Sequence, residues 1–222
     1  DAPDDVIRFV TTQLGLGERD VYRRAGPLEY QDLWEIAKLP RPDLKAKPWT
    51  PVIPPALRGL AAEDDLERTE TIFDRIRAND ILVHHPYESF EASVERFVDE
   101  ASRDPRVVAI KQTIYRTAPD SAFVMSLIRA AEAGMNVACL VELRARFDEE
   151  RNVTFARQLE HAGVRVAYGV IGYKTHCKLS LVVRQETGPE GPDGPPTMRS
   201  YAHIGTGNYH PGTAQLYTDL GL

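Results

Sequence analysis

His176-Cys177-Lys178 is the shortest segment of this sequence that could carry out a reaction. If it opens a strand, the His176 and Lys178 side chains lie two residues apart on one face. An imidazole near neutrality can serve as nucleophile or acid/base, and an ammonium beside it neutralises an anionic group in transit. Further cations recur along the chain in His84-His85-Pro86-Tyr87, Tyr115-Arg116-Thr117, Arg144-Ala145-Arg146-Phe147 and Lys174. Arg offers phosphate oxygens a rigid fork, and Lys offers them a point charge. Gly205-Thr206-Gly207-Asn208 could turn consecutive backbone N–H groups toward an anion, with a short helix starting near Gly212. The set points to phosphate or another polyanion. Singly, each feature has a plainer reading. His161 and His210 read as surface or capping residues and His203 as a core histidine, while Arg116 and Arg146 could be strand ends paired with carboxylates. His84 and His85 divide evenly between a capped turn and a site.

The elements that must position these residues follow from periodicity. Strands are predicted at 81–83, 107–116, 137–143, 164–170, 178–184 and 199–204, with helices at 89–102, 119–133 and 148–162. Such alternation predicts an α/β fold with a largely parallel sheet covered on both faces. Open α/β sheets bind ligands at the carboxyl ends of their strands, where the cations fall. A Gly/Pro-rich stretch from Thr187 to Thr197 links the last two strands as a hairpin tip. Ahead of this, amphipathic helices are predicted at 3–16 and 27–39. They are followed by an extended stretch broken by Pro40, Pro42, Pro48, Pro51, Pro54 and Pro55. The boundary is placed near residue 62, giving parts 1–62 and 63–222.

Bulk properties narrow the class. The chain has 222 residues, 42% of them hydrophobic and 27% charged, which excludes a disordered protein. With 27 Lys+Arg against 33 Asp+Glu the net charge is −6, which argues against a constitutive nucleic-acid coat. No run reaches the ~20 apolar residues of a membrane span. Cys139 and Cys177 have no metal-ligand or redox spacing, so a reducing cytoplasm is expected. A start without Met and an end at Leu222 after an apolar stretch read as cuts inside a longer protein.

Five motifs in order carry a resemblance. They are His84-His85-Pro86-Tyr87-Glu88-Ser89-Phe90, Lys111-Gln112-Thr113-Ile114-Tyr115-Arg116-Thr117, and Val141-Glu142-Leu143-Arg144-Ala145-Arg146-Phe147-Asp148-Glu149-Glu150. Lys174-Thr175-His176-Cys177-Lys178-Leu179 and Tyr201-Ala202-His203-Ile204-Gly205-Thr206-Gly207-Asn208-Tyr209 follow, closing with Leu216-Tyr217-Thr218-Asp219. The chain resembles the long bacterial polyphosphate kinase family, which makes polyphosphate from ATP. The resemblance implies a phospholipase-D-like mixed sheet flanked by helices, preceded by part of a helical head domain. It implies His176 as the phosphorylated nucleophile and Lys178 as the group that neutralises the transferred phosphoryl. Tyr217 matches a nucleotide contact, and Asn208 is counted with it among the substrate-binding residues. Arg116 and Arg146 match positions the family associates with magnesium. A guanidinium has no free lone pair, so both are expected to grip phosphate oxygens of a Mg²⁺-bound substrate.

The implied partners are ATP or ADP and inorganic polyphosphate, with no nucleic acid, in a homo-oligomeric cytoplasmic protein that in some members is peripheral to the membrane. Two departures keep other readings open. Lys178 is followed by Leu179, Ser180, Leu181, Val182 and Val183, without the Asp of the common phospholipase-D motif. That weakens a phosphodiesterase or nuclease acting as a dimer. Only one His-x-Lys element is present, so the chain alone is expected to be inactive. A non-catalytic polyphosphate-binding domain is the third reading.

Overall fold

The computed structural model describes all residues except 1, 24, 25, 27–29, 61–69, 116, 118–120, 143–148, 189, 192 and 193, with the side chains of 18 and 149–151 also outside the description. The chain divides into two compact units, Asp1–Pro48 and Trp49–Leu222.

In the first unit, α1 spans Asp4–Leu14 and ends at Gly15, whose φ of 65° is the left-handed conformation that closes a helix cheaply only without a Cβ. Helix α2 is a single short run, Leu33–Ala37, entered through a 3₁₀ turn at Tyr30–Asp32. It stops well before residue 39, because Pro40 disfavours helical backbone at Leu39.

The second unit begins at Trp49, earlier than the boundary placed near 62. Trp49 Nε1 donates to Tyr87 O at 3.2 Å, Val52 N to the same carbonyl at 3.0 Å, and Ser89 N to Val52 O at 2.8 Å. Leu57 is 3% exposed in the core. Prolines set an extended backbone here, but the apolar residues between them pin it down.

Helix α3 (Ile72–Ala78) was not anticipated, although Thr71-x-x-Asp74 is a readable start signal. Thr71 donates both its N–H (2.9 Å) and its hydroxyl (2.7 Å) to Asp74. After β1 (Val83–His85) comes a π-helical turn, Glu91–Glu95, running into α4 (Arg96–Arg103). Then follow β2 (Val107–Ile114), α5 (Ala122–Glu132), β3 (Asn136–Val141), α6 (Glu149–His161) and β4 (Arg165–Tyr168). The chain closes with β5 (Lys178–Glu186), β6 (Thr197–Gly205), α7 (Pro211–Ala214) and β7 (Asp219–Gly221).

The seven strands form one sheet in the order β1-β7-β6-β5-β2-β3-β4. Only β2-β3 and β3-β4 are parallel, and every other pairing is antiparallel. The sheet is therefore mixed, not largely parallel. The described residues of the link from β5 to β6 form no helix, and a short tip joins antiparallel neighbours only.

The expected cover on both faces is also corrected. The crossovers through α5 and α6 step across the sheet in one direction, and with the usual right hand both helices fall on the same face. Strand β5 shows the result. Lys178, Ser180, Val182, Arg184 and Glu186 are buried, while Leu179, Leu181, Val183 and Gln185 are half-buried. Under the covered face lie Phe73, Phe97, Ile110, Phe123, Leu127, Phe155, Leu159 and Val182.

The far end of β5 is held by charge. Arg184, 2% exposed, donates to Asp104 at 2.7 Å and to Glu186 at 3.0 Å, with its guanidinium 5.1 Å from the Phe73 ring centre. Removing Asp104 leaves the buried guanidinium with Glu186 alone and its Nε without an acceptor. Asp104→Ala is expected to cost about 1–3 kcal/mol, read as a lower urea midpoint, while a loss under about 0.5 kcal/mol would show the network to be slack.

Candidate active site

Antiparallel pairing reverses every second strand, so the ends of β1, β2, β3 and β6 share one sheet edge with the starts of β5 and β7. That edge collects Tyr115, Glu142, His176, Lys178, the Gly205–Asn208 turn and Asp219 from sequence positions a hundred residues apart. Of the residues expected to converge, His176, Lys178 and the Gly205–Asn208 turn lie at this edge, while Arg116, Arg144 and Arg146 lie outside the described residues.

At its centre, His176 is exposed while Lys178 is 5% exposed. The Lys178 Nζ donates to His176 O at 2.6 Å and lies 3.1 Å from both ring nitrogens. The Tyr115 ring stands edge-on to the imidazole, 4.9 Å away at 78°. Lys174 and Lys178 each hold their ammonium about the same distance from that tyrosine ring, 5.4 and 5.5 Å. Among the described residues, Lys178 makes no ion pair with a carboxylate. Partial burial, then the two neighbouring lysines, hold the His176 imidazole below its ordinary range. Burial likewise lowers the Lys178 ammonium, with Asp219 pulling the other way. The arrangement keeps a neutral ring nitrogen in the solvent beside a buried positive charge.

Three residues without an assigned role in the sequence hold this geometry. The Thr113 hydroxyl donates to Cys177 O at 2.9 Å and accepts from Leu179 N at 2.9 Å, locking the start of β5 to β2. Glu142, 3% exposed, accepts from Thr175 N at 2.7 Å and so clamps the backbone one residue before His176. Asn152 donates to Glu142 O at 2.8 Å and to Tyr115 O at 3.1 Å, tying the ends of β2 and β3 together. Glu142 was detectable as the one charged residue interrupting an apolar strand. Thr113 and Asn152 carried no such signal.

The rest of the edge is more committed than its residue types suggest. In the Gly205–Asn208 turn, Thr206 N already donates to Leu220 O at 2.9 Å and the Thr206 hydroxyl to Asp219 at 2.8 Å. Gly207 is required by close approach, since a Cβ there would lie 2.6 Å from an Asp219 carboxylate oxygen. The Asn208 side-chain oxygen is buried without a partner and lines a small cavity with His85 and His203. Tyr217 sits just before β7 and is 62% exposed. His210 caps α7, accepting from Thr213 N at 3.3 Å, and His161 is exposed, as expected of both. His85 Nδ1 meets Glu88 O at 2.9 Å, and Glu88 in turn accepts from His84 N at 2.8 Å, so the pair caps its turn. His203 Nδ1 meets the Tyr209 hydroxyl at 2.8 Å, while burial, then His85, push the imidazole down to about 4. Arg116 and Arg146 lie outside the described residues. Among the described residues no group of three or more His, Cys, Asp or Glu could hold a metal ion.

Two titrations check these electrostatics. His176, followed through its ring proton resonance, is expected to titrate below 6.5 and to move back up in Lys178→Met; an unmoved midpoint would show that the lysine exerts no field on it. His203 binds its proton at 6.5 when unfolded but only near 4 when folded. Stability should therefore fall as pH drops through that window, by about 3 kcal/mol in total. His203→Gln should lose that component of the urea-derived slope.

Comparison with known proteins places this geometry. Polyphosphate kinase from Synechocystis sp. is 53% identical over 227 residues, covering 99% of this chain and 30% of the relative. That of Mycobacterium leprae is 48% identical over 222 residues, covering all of this chain and 28% of the relative. The chain thus spans about 30% of the length of the curated relatives it matches. The crystal structure of polyphosphate kinase from Porphyromonas gingivalis superposes with a TM-score of 0.66 at 29% identity, covering 99% of this chain and 32% of that one. The mixed sheet with flanking helices is the phospholipase-D-like fold of that neighbour. The family model for polyphosphate kinase C-terminal domain 1 matches residues 71–222, more than half of the chain, and the protein therefore belongs to that family.

Proposed function

We propose that this chain supplies the phosphoryl-accepting histidine of a polyphosphate kinase, which moves the terminal phosphoryl group of ATP reversibly onto a polyphosphate chain. The observation that carries the reading is the ammonium of Lys178, buried without a carboxylate beside an exposed, neutral His176. A buried cation lacking a counterion is stabilised by an arriving anion, and phosphoryl oxygens supply one.

In the first half-reaction, a lone pair on a His176 ring nitrogen forms the N–P bond as the P–O bond to ADP breaks, and ADP leaves with that electron pair. Lys178 neutralises the phosphoryl oxygens in transit, with Lys174 adding positive potential at the mouth. In the second, a terminal oxygen of polyphosphate attacks phosphorus and the N–P bond breaks, returning neutral His176. Glu142 and Thr113 keep the imidazole in line through the backbone on either side of it. Tyr217, exposed at the same edge, suits stacking on the nucleotide base, and Asn208 reads as a polar contact behind the turn. Mg²⁺ is read as arriving with the nucleotide, whose phosphates Arg116 and Arg146 grip. Residues 1–48 read as the tail of a preceding helical head domain. The assembly reads as a cytoplasmic homo-oligomer that takes no nucleic acid. Among the described residues no helix is long and apolar enough to cross a membrane.

The test uses a full-length kinase carrying this sequence. With γ-labelled ATP, His176→Ala is expected to abolish both the acid-labile phosphoenzyme and polyphosphate synthesis, and Lys178→Ala to slow synthesis by roughly 10²–10³. Persistent labelling of the His176→Ala protein would overturn the nucleophile assignment. Release of nucleotide from a diester substrate would instead favour the phosphodiesterase reading.

A further inference from the structure

Tyr115 stands at the exit of β2, one residue past Ile114, and takes no part in the two half-reactions above. Asn152 fixes its backbone by donating to Tyr115 O at 3.1 Å, and the residue is half-buried. Two ammonium groups lie against its ring, Lys174 Nζ at 5.4 Å and Lys178 Nζ at 5.5 Å from the centre. Both fall within the ~6 Å at which an aromatic ring attracts a cation. The same ring meets the His176 imidazole at 4.9 Å and 78°.

The chemistry at His176 needs a lysine that is charged but not already paired. A carboxylate against Lys178 would cancel the charge that an arriving phosphoryl group meets, and burial alone would favour the neutral amine. An aromatic ring does neither. Its quadrupole stabilises the ammonium and leaves the charge uncancelled.

The other groups around Lys178 do not replace the ring. On its own segment the His176 carbonyl accepts one N–H at 2.6 Å, and Cys177 and Asp219 act on the ammonium through space. Asp219, from β7, already accepts the Thr206 hydroxyl at 2.8 Å. Lys174 is itself a cation on the same ring.

We infer that Tyr115 is a positioning residue of the phosphoryl-transfer site, its ring holding the Lys178 ammonium charged and unpaired beside His176. The inference rests on the assignment of His176 as the phosphoryl acceptor. The contact with the imidazole also restricts rotation of the nucleophile, so one side chain steadies both groups that meet the phosphoryl.

Two measurements test it. In the 222-residue chain without substrate, lysine ¹³Cε resonances follow Lys178 through its titration. Tyr115→Leu keeps an apolar side chain but has no ring, and is expected to move that midpoint down by roughly half to one pH unit; Tyr115→Phe should restore it. In a full-length kinase carrying this sequence, Tyr115→Leu is expected to slow phosphohistidine formation from γ-labelled ATP by roughly 3- to 30-fold, with KM for ATP moving less than the rate. Since the ammonium is then lost at lower pH, the alkaline fall in rate should also begin at lower pH, and Tyr115→Phe should recover both. A Lys178 midpoint that stays in place in Tyr115→Leu overturns the proposal, as does a Tyr115→Phe kinase as slow as Tyr115→Leu. Should the leucine variant not fold, the midpoint in Tyr115→Met decides in the same way. A native kinase that forms no phosphohistidine overturns the reading of His176 instead, and the lysine titration then decides the role of Tyr115 by itself.

Discussion

A lysine ammonium taken out of water without a carboxylate beside it is the constraint around which this sheet edge is organised. Lys178 keeps its charge by donating to the carbonyl of the histidine two residues earlier and by lying against that ring. Neither contact cancels a full charge, and Asp219 contributes only through space. The consequences spread outward. The histidine is held neutral, the backbone around it must be fixed at both ends, and the neighbouring strands supply Thr113 and Glu142 for that purpose. An anion at this point completes the electrostatics instead of disturbing them.

Much of this edge was readable from residue order, and the reason is physical. The run 107–114 and the Leu179–Val183 centre of β5 are rich in aliphatic residues, so the existence of these strands follows from composition and length. The meeting of His176, Lys178 and the Gly205–Asn208 turn at one sheet edge then follows from topology. Strand direction was less legible. Val182 and Tyr201 look alike in parallel and antiparallel sheets, and only the helix-free link between their strands distinguished the two. Three-residue β7 is too short to show a period, and α3 announced itself only through its capping pair.

The least legible features were supports, not reactive groups. Thr113 sits in a strand as an ordinary β-branched residue, yet its hydroxyl is both donor and acceptor for the strand beside it. Glu142 shows only as a charge interrupting an apolar strand, and its action as a backbone clamp does not show at all. Trp49 follows a run of prolines that suggested a linker, but its indole N–H finds a carbonyl 38 residues away. Such roles depend on which strands become neighbours, which local sequence does not encode.

Strand β5 has a further consequence. It is bonded along both edges, to β2 on one side and β6 on the other, and nine residues carry it about 30 Å across the molecule. At one end it begins two residues after His176, and at the other it ends in the buried Arg184 network. A central strand tied at both ends cannot loosen by itself, so its amides exchange with solvent only when the whole unit opens. The strand is therefore a fixed rail for the segment that leads into it through His176.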